Sequence, residues 1–155
     1  MSTLRRRLRE DRGQLSVLIL GLTVIAMTLI IGGLAVTSVH ISRMRLLDAA
    51  DAAALAATDE GARRIYDEGL GTDLPLDDAL VQQTAAEHLA SRGRPHGLEA
   101  WSVAPGTGSP DGRTAVVRLT AEADLPLVGG LLESLGGSVT VTVESRARAA
   151  VRTAP

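Results

Sequence analysis

Hydrophobic positions are spread unevenly along this chain. From Leu15 to Val39 the residues are apolar apart from Ser16, Thr23, Thr28, Thr37, Ser38 and a few glycines, and no Asp, Glu, Lys or Arg occurs between Gly13 and Ser42. These 25 positions, at about 1.5 Å rise each, make a helix of about 37 Å, enough to cross a hydrocarbon core of about 30 Å with some tilt. A secretory signal has a shorter apolar region of about 7 to 15 residues, and the remaining chain is too small to surround a helix that is apolar on every side. The pattern therefore predicts a transmembrane helix over residues 14–42. The next stretch, Arg43 to Ala57, has no Gly or Pro and is built from strong helix formers, so the helix should continue into an Ala-rich juxtamembrane segment, residues 43–68. There Leu47, Ala50, Ala53, Ala54, Leu55 and Ala57 recur at helical spacing and form a shallow apolar face suited to close helix–helix packing.

Beyond Gly69 to Asp73 the period breaks. Asp73-Leu74-Pro75 reads as a helix start, with an amphipathic helix running to Gly93. Leu98 to Ala104 and Arg113 to Ala123 read as two strands of a hairpin around a Pro/Gly-rich loop, with Ala115, Val117, Leu119 and Ala121 on one side. Pro126 to Leu135 is expected to form a short helical turn closed by Gly136-Gly137. Val139, Val141 and Val143 then alternate with Thr140, Thr142 and Glu144 as a further strand. The tail beyond Arg152 is expected to fray. The fold class is α+β: one N-terminal transmembrane helix continuing into a long amphipathic helix, packed on a second helix and a small, mainly antiparallel sheet. Four regions result: a basic arm (1–13), the span (14–42), the Ala-rich helix (43–68) and a small α+β domain (69–155).

Charge supplies the orientation. Arg5, Arg6, Arg7, Arg9 and Arg12 precede the span against only Glu10 and Asp11, whereas Arg43 and Arg45 follow it. By the positive-inside tendency the arm is cytoplasmic and everything after about Ser42 is extracytoplasmic, which makes this a single-pass membrane protein. The net charge of −2 over 155 residues conceals this asymmetry. An aromatic share of 1%, Tyr66 and Trp101 alone, means that any core is assembled from Leu, Val, Ile and Ala, which bury less area per side chain than rings. The absence of cysteine excludes disulfides, thiolate metal sites and thiol catalysis.

Arg12-Gly13-Gln14 ahead of a long apolar span, followed by Leu46-Leu47-Asp48-Ala49-Ala50-Asp51-Ala52-Ala53-Ala54-Leu55-Ala56-Ala57, resembles the amino-terminal region of TadE/TadG-like proteins. These are minor pilins, pseudopilins or assembly proteins of the bacterial Flp (Tad) pilus system. The resemblance covers about Asp11 to Thr58, a third of the chain, and implies a pilin-like outline. It also implies partners among the membrane components and other small pilin-like proteins of a Tad-type machine. Prepilin-type processing would fall at Gly13-Gln14. Processed Flp-type prepilins carry a Glu at the fifth mature position, and here that position is Leu18, so the arm is expected to stay attached. Many longer TadG-like proteins carry a metal-binding von Willebrand A domain. No Asp-x-Ser-x-Ser run is present here, and no metal or other cofactor is expected.

Candidate chemistry is sparse. His40, His88 and His96 are scattered, and none has a His-Glu-x-x-His spacing. Ser102 and Ser145 lack a Gly-x-Ser-x-Gly context. Asp59-Glu60, Asp67-Glu68 and Asp77-Asp78 are sequence neighbours, the habit of solvated helix and turn positions. Gly106-x-Gly108 lacks the Lys-Ser/Thr of a phosphate-binding loop. Neither an enzyme nor a binder of nucleic acid or small-molecule substrates is expected. Three function classes remain: a structural or assembly component of a Tad-type pilus or related secretion apparatus, a single-pass membrane-anchored extracytoplasmic binding or sensor protein, and a membrane-tethered hydrolase, which has no supporting residue constellation. The topology fits the first two, and the Ala-rich motif favours the first.

Overall fold

The computed structural model describes residues 2–68, 76–125, 129–134 and 139–148. A single helix α1 (Ser2–Glu68) is followed by α2 (Asp78–Ser91), β1 (Leu98–Val103), β2 (Thr114–Ala123), a short α3 (Gly129–Ser134) and β3 (Val139–Arg148). The strands form one antiparallel sheet in the order β1-β2-β3. This is the α+β arrangement of a long apolar helix, a second helix and a small antiparallel sheet.

Along α1 the solvent pattern changes abruptly. Residues 14–30 are all exposed, and an 18-residue window with mean hydropathy 2.6 has none of its residues buried. Length and composition suffice to cross a membrane. The hydroxyls in this stretch are satisfied inside the helix: Thr23 donates to the Ile19 carbonyl at 2.8 Å, Thr28 to Val24 at 2.9 Å and Thr37 to Gly33 at 2.9 Å. That pairing is what hydrocarbon requires of a polar side chain. From Ser42 onward one side turns inward. Ser42, Leu46, Ala50, Ala53, Ala57 and Gly61 follow one another at three- and four-residue steps, and all are buried.

Against this stripe lie the inward faces of β2 and β3. Alternation places Ala115, Val117, Leu119, Ala121 and Ala123 of β2 on the core side. The register sets Leu119 opposite Val143 and Ala121 opposite Val141. On β1, Val103 pairs with Leu119, and the half-buried Trp101 pairs with Ala121 and packs against the core. Leu80, Val81, Ala85 and Leu89 of α2 complete the cluster. Small side chains on the helix let it lie close to the sheet, while Leu46, Leu119, Val81 and Val117, each fully enclosed, supply about 1.5–3 kcal/mol apiece. The chain just before α2 approaches α1 as tightly: a Cβ at Gly61 would stand 3.1 Å from Leu76 Cδ2.

The second helix starts later than its sequence suggests. Asp73, Leu74 and Pro75 lie outside the described residues, and α2 begins at Asp78 with Asp77 as its cap. Asp77 Oδ1 accepts the Leu80 amide at 2.6 Å, satisfying one of the unpaired first-turn donors. The helix closes at Ser91, two residues before Gly93, where Arg92 turns extended and its amide donates to the His88 carbonyl. The 104–113 loop folds back on β2: Gly108 and Val116 exchange two backbone hydrogen bonds at 2.8 and 2.9 Å. Asp78 clamps this loop by accepting the Ser109 amide at 2.7 Å, and a Cβ at Gly108 would collide with that carboxylate. The expected turn at 126–135 is represented by α3. Gly136-Gly137 and the tail beyond Arg152 lie outside the described residues.

Because Ala53 is fully enclosed between helix and sheet, Ala53→Leu should destabilise the domain by about 1–3 kcal/mol through overpacking. Thermal melting of the full chain in detergent checks this, with a fall of several degrees expected; an unchanged midpoint would mean that the helix does not sit on the sheet at this point.

Candidate functional site

The region most able to carry function is the middle of α1, where a helix leaving the apolar run becomes the backbone of a folded domain. Three polar contacts hold the join. Ser38 Oγ donates to the Asp124 carbonyl at 3.0 Å and Ser42 Oγ to the Gly97 carbonyl at 2.8 Å, while an Arg45 guanidinium nitrogen donates to the His96 carbonyl. Donors on one helix thus reach the chain entering β1 and the chain leaving β2, and Asp124 N–H in turn donates to the Gly97 carbonyl at 2.9 Å. Gly97 adopts φ +84°, and a Cβ there would stand 3.1 Å from Ser42 Oγ and 3.2 Å from the Arg45 guanidinium. Only glycine meets the backbone and the space requirement together. Sequence patterning passed over Ser38 as a polar interruption and Ser42 as the end of the uncharged stretch, although Ser42 stands one turn before Leu46 in the register of the buried alanines.

The six residues singled out as one helix face are divided by the fold. Ala50, Ala53, Ala54 and Ala57 are fully buried against this chain's own sheet and second helix. Leu47 and Leu55, expected to supply most of the buried area, are 38% and 58% exposed, and Leu46 takes the inward position instead. The physical reason is a one-residue offset: 100° of rotation separates Leu46 from Leu47, and only Leu46 is in phase with Ala50, Ala53 and Ala57. Leu55 lies on the opposite side with Ile41 and Met44, also exposed, and Leu47 sits on the flank between that side and the buried Ala54. An apolar stripe therefore continues out of the span along the free side of α1, accompanied by the exposed Asp48 and Asp51.

The remaining candidates do not converge. Arg5, Arg6, Arg7, Arg9, Arg12 and Gly13 fall within α1, but their side chains and surroundings lie outside what is described; Gln14 is exposed on the helix. His40 and His96 are exposed, and His88 is half-buried 3.4 Å from the Arg92 guanidinium. Among the described residues, no three His, Asp or Glu gather as a metal would require. Asp77 and Asp78 have structural duties at the start of α2. Ser102 is exposed, and Ser145 is buried opposite Val117 in the β2–β3 pairing.

Two carboxylates are electrostatically tuned. On the outer face of the sheet, Glu144 accepts from Arg118 Nε at 2.6 Å and from Arg146 at 2.7–2.8 Å; these hydrogen bonds, Arg118 foremost, hold its carboxyl below the usual glutamate range. In the 104–113 loop, Asp111 accepts the Arg113 and Thr114 amides and the Thr114 hydroxyl, at 2.6–2.9 Å. Its pKa is lowered too, chiefly by the Arg113 amide. Both arrangements brace the sheet and its loop.

Residues 13–64 match the family model described as "Putative Flp pilus-assembly TadE/G-like". This stretch is similar to the TadE/G-like family. No curated protein and no solved structure matches the chain. The TadE/G-like segment covers about a third of the chain, and its bounds enclose the exposed apolar run, the three polar clasps on α1 and the buried Ala stripe. It supports a structural or assembly role in a Tad pilus system.

Because Glu144 and Asp111 titrate lower in the folded chain, their stabilisation is complete above their unfolded pKa values and is lost as pH falls through the folded ones. Melting midpoints measured from pH 6 down to about pH 3 should therefore fall with acidification, and Glu144→Gln should flatten the profile by removing the larger-armed ion pair. An identical slope in the variant would show that Glu144 contributes no pH-linked stability.

Proposed function

We propose that the chain is a minor pilin- or pseudopilin-like component of a Tad-type pilus or related secretion apparatus. It would be anchored in the bacterial cytoplasmic membrane by residues 14–42, with the arm at 1–13 cytoplasmic and the 69–155 domain extracytoplasmic. What carries the proposal is the coincidence of the TadE/G-like segment with the part of α1 that both spans and folds: one stiff element joins the bilayer to a domain packed on its far end. A structural role needs such a rigid connection, whereas an enzyme would need a converging set of reactive groups. The arginine surplus before the span supports the orientation. Leu18, standing where processed Flp-type prepilins have an acid, supports retention of the arm at Gly13-Gln14.

Protease added to intact spheroplasts should remove a carboxyl-terminal tag and spare an amino-terminal one, and the amino-terminal tag should remain on the membrane form. A protected carboxyl-terminal tag would overturn the orientation. A membrane form beginning at Gln14 would overturn retention of the arm.

The helix–helix contact with another small pilin-like protein then belongs to the free side of α1. With Ala50, Ala53, Ala54 and Ala57 covered internally, Leu47 and Leu55 are the members of the original set still open to a partner. Burying such side chains favours association at roughly 25 cal/mol per Å² before association costs. Replacing both by Gln should reduce site-directed crosslinking to Tad membrane proteins and lower pilus or secretion output at least about fivefold. Melting should move little, because exposed substitutions commonly change stability by less than about 0.5 kcal/mol. Full crosslinking and output in the double variant would favour the second reading, an anchored extracytoplasmic binding or sensor protein.

A further inference from the structure

Where the domain meets the end of the apolar run, residues from three parts of the chain enclose a cleft of about 330 Å³. Arg45 comes from α1, Arg92 and His96 from the connection between α2 and β1, and Trp101 from β1; Asp48 lines it as well. Arg45, Arg92 and His96 are exposed, and the indole is half-buried. The position of the cleft is set by the clasps already described. Ser42 and Arg45 hold the carbonyls of Gly97 and His96, which brings the 92–97 connection down to the level on α1 where the uncharged stretch ends, at Ser42.

We propose that this cleft seats the phosphate-bearing headgroup of an anionic phospholipid from the membrane that α1 crosses, so that the domain rests on the bilayer in a defined orientation. This inference rests on α1 spanning a membrane, and it holds whichever leaflet the domain faces. From Val39, the end of the apolar run, to Arg45 the helix rises about 9 Å. That places the guanidinium groups in the headgroup layer and not in the hydrocarbon. Arg recognises phosphate through directed, charge-assisted hydrogen bonds, and an indole with one wet edge suits the membrane–water boundary. Asp124, beside Gly97, is exposed and acidic, so the attraction belongs to the cleft and not to the whole underside of the domain. A cleft that touches both the helix and the 92–97 connection also explains what the clasps achieve: an occupant there bridges the two, fixing the angle between domain and membrane.

Trp101 is the only tryptophan in the chain and therefore reports directly on the cleft. The full chain is reconstituted in nanodiscs of phosphatidylcholine containing rising fractions of phosphatidylglycerol, and quenching of Trp101 by neutral acrylamide is measured. Quenching should fall as phosphatidylglycerol rises. In Arg92→Gln, half-protection should require about fivefold more anionic lipid, the effect of one lost interfacial charge, with circular dichroism unchanged. Arg146→Gln, on the outer face of the sheet, should behave as the unaltered chain. Quenching that is independent of phosphatidylglycerol, or equal protection in the Arg92→Gln and unaltered chains, would overturn the proposal. So would protection of the detergent-solubilised chain by millimolar inorganic phosphate to the same extent, since the site would then serve a free anion. If the chain fails to enter nanodiscs and remains soluble without them, the spanning reading itself falls, an outcome distinct from an incorporated chain whose Trp101 ignores lipid charge.

Discussion

The close seating of one helix on a three-stranded sheet is the interaction on which the rest of this protein depends. Residues 42–61 of α1 supply the only long surface against which β2 and β3 can bury their inward side chains, among the described residues, and they do so with Ala and Gly at most contact positions. Small residues contribute little area each, so the stability of the arrangement comes from proximity: the helix backbone approaches near enough for Val117, Leu119, Val141 and Val143 to pack around it. A larger side chain anywhere in the stripe would lift the helix and weaken every one of those contacts together. With two aromatic residues in the chain, few bulky side chains are available to refill the gap.

That dependence couples the domain to the membrane. The helix on which the domain folds is the same helix that leaves the apolar run, without a break, a proline or a linker. Motion of the span is therefore transmitted to the sheet as a rigid-body motion, and force on the domain returns along the same helix. The polar contacts of Ser38, Ser42 and Arg45 lie at the point where such leverage is greatest, and each acceptor is a backbone carbonyl, so the join is specified by main-chain positions. A component held this way is suited to building or bracing an assembly. The conventional motifs of catalysis were not found in the sequence, and the carboxylates that the fold does tune, Glu144 and Asp111, are engaged in bracing strands and a loop.

The two long faces of α1 beyond the span divide the work. One is consumed by internal packing, and the other continues the apolar character of the span through Ile41, Met44 and Leu55, with Leu47 on its flank, into the region of the domain. Acidic residues between them, Asp48 and Asp51, keep the free face partly polar and limit indiscriminate association. The cleft around Trp101 adds a third surface at the level of the lipid headgroups, where Arg45 and Asp48 of α1 meet residues 47 to 56 positions beyond Arg45 in sequence.

Periodicity and charge alone determined the long helix, its apolar run, the second helix, the three strands and their alternation, because each depends on contacts within a few residues or on transfer of side chains from water. The TadE/TadG resemblance was likewise carried by local order: Arg-Gly, span and Ala-rich run. What only the tertiary structure decided is which side of α1 faces inward. Leu46 and Leu47 are equally apolar neighbours, and nothing local distinguishes them; the choice follows from the phase of Ala50, Ala53 and Ala57 against a sheet whose strands lie more than forty residues away. The start of α2 at Asp78, later than the Asp73-Leu74-Pro75 read from the sequence, also involves a long-range contact, since Asp78 accepts the Ser109 amide of a distant loop. Cleft, clasps and free stripe are all products of long-range packing, in which a residue's role is set by what the fold brings beside it.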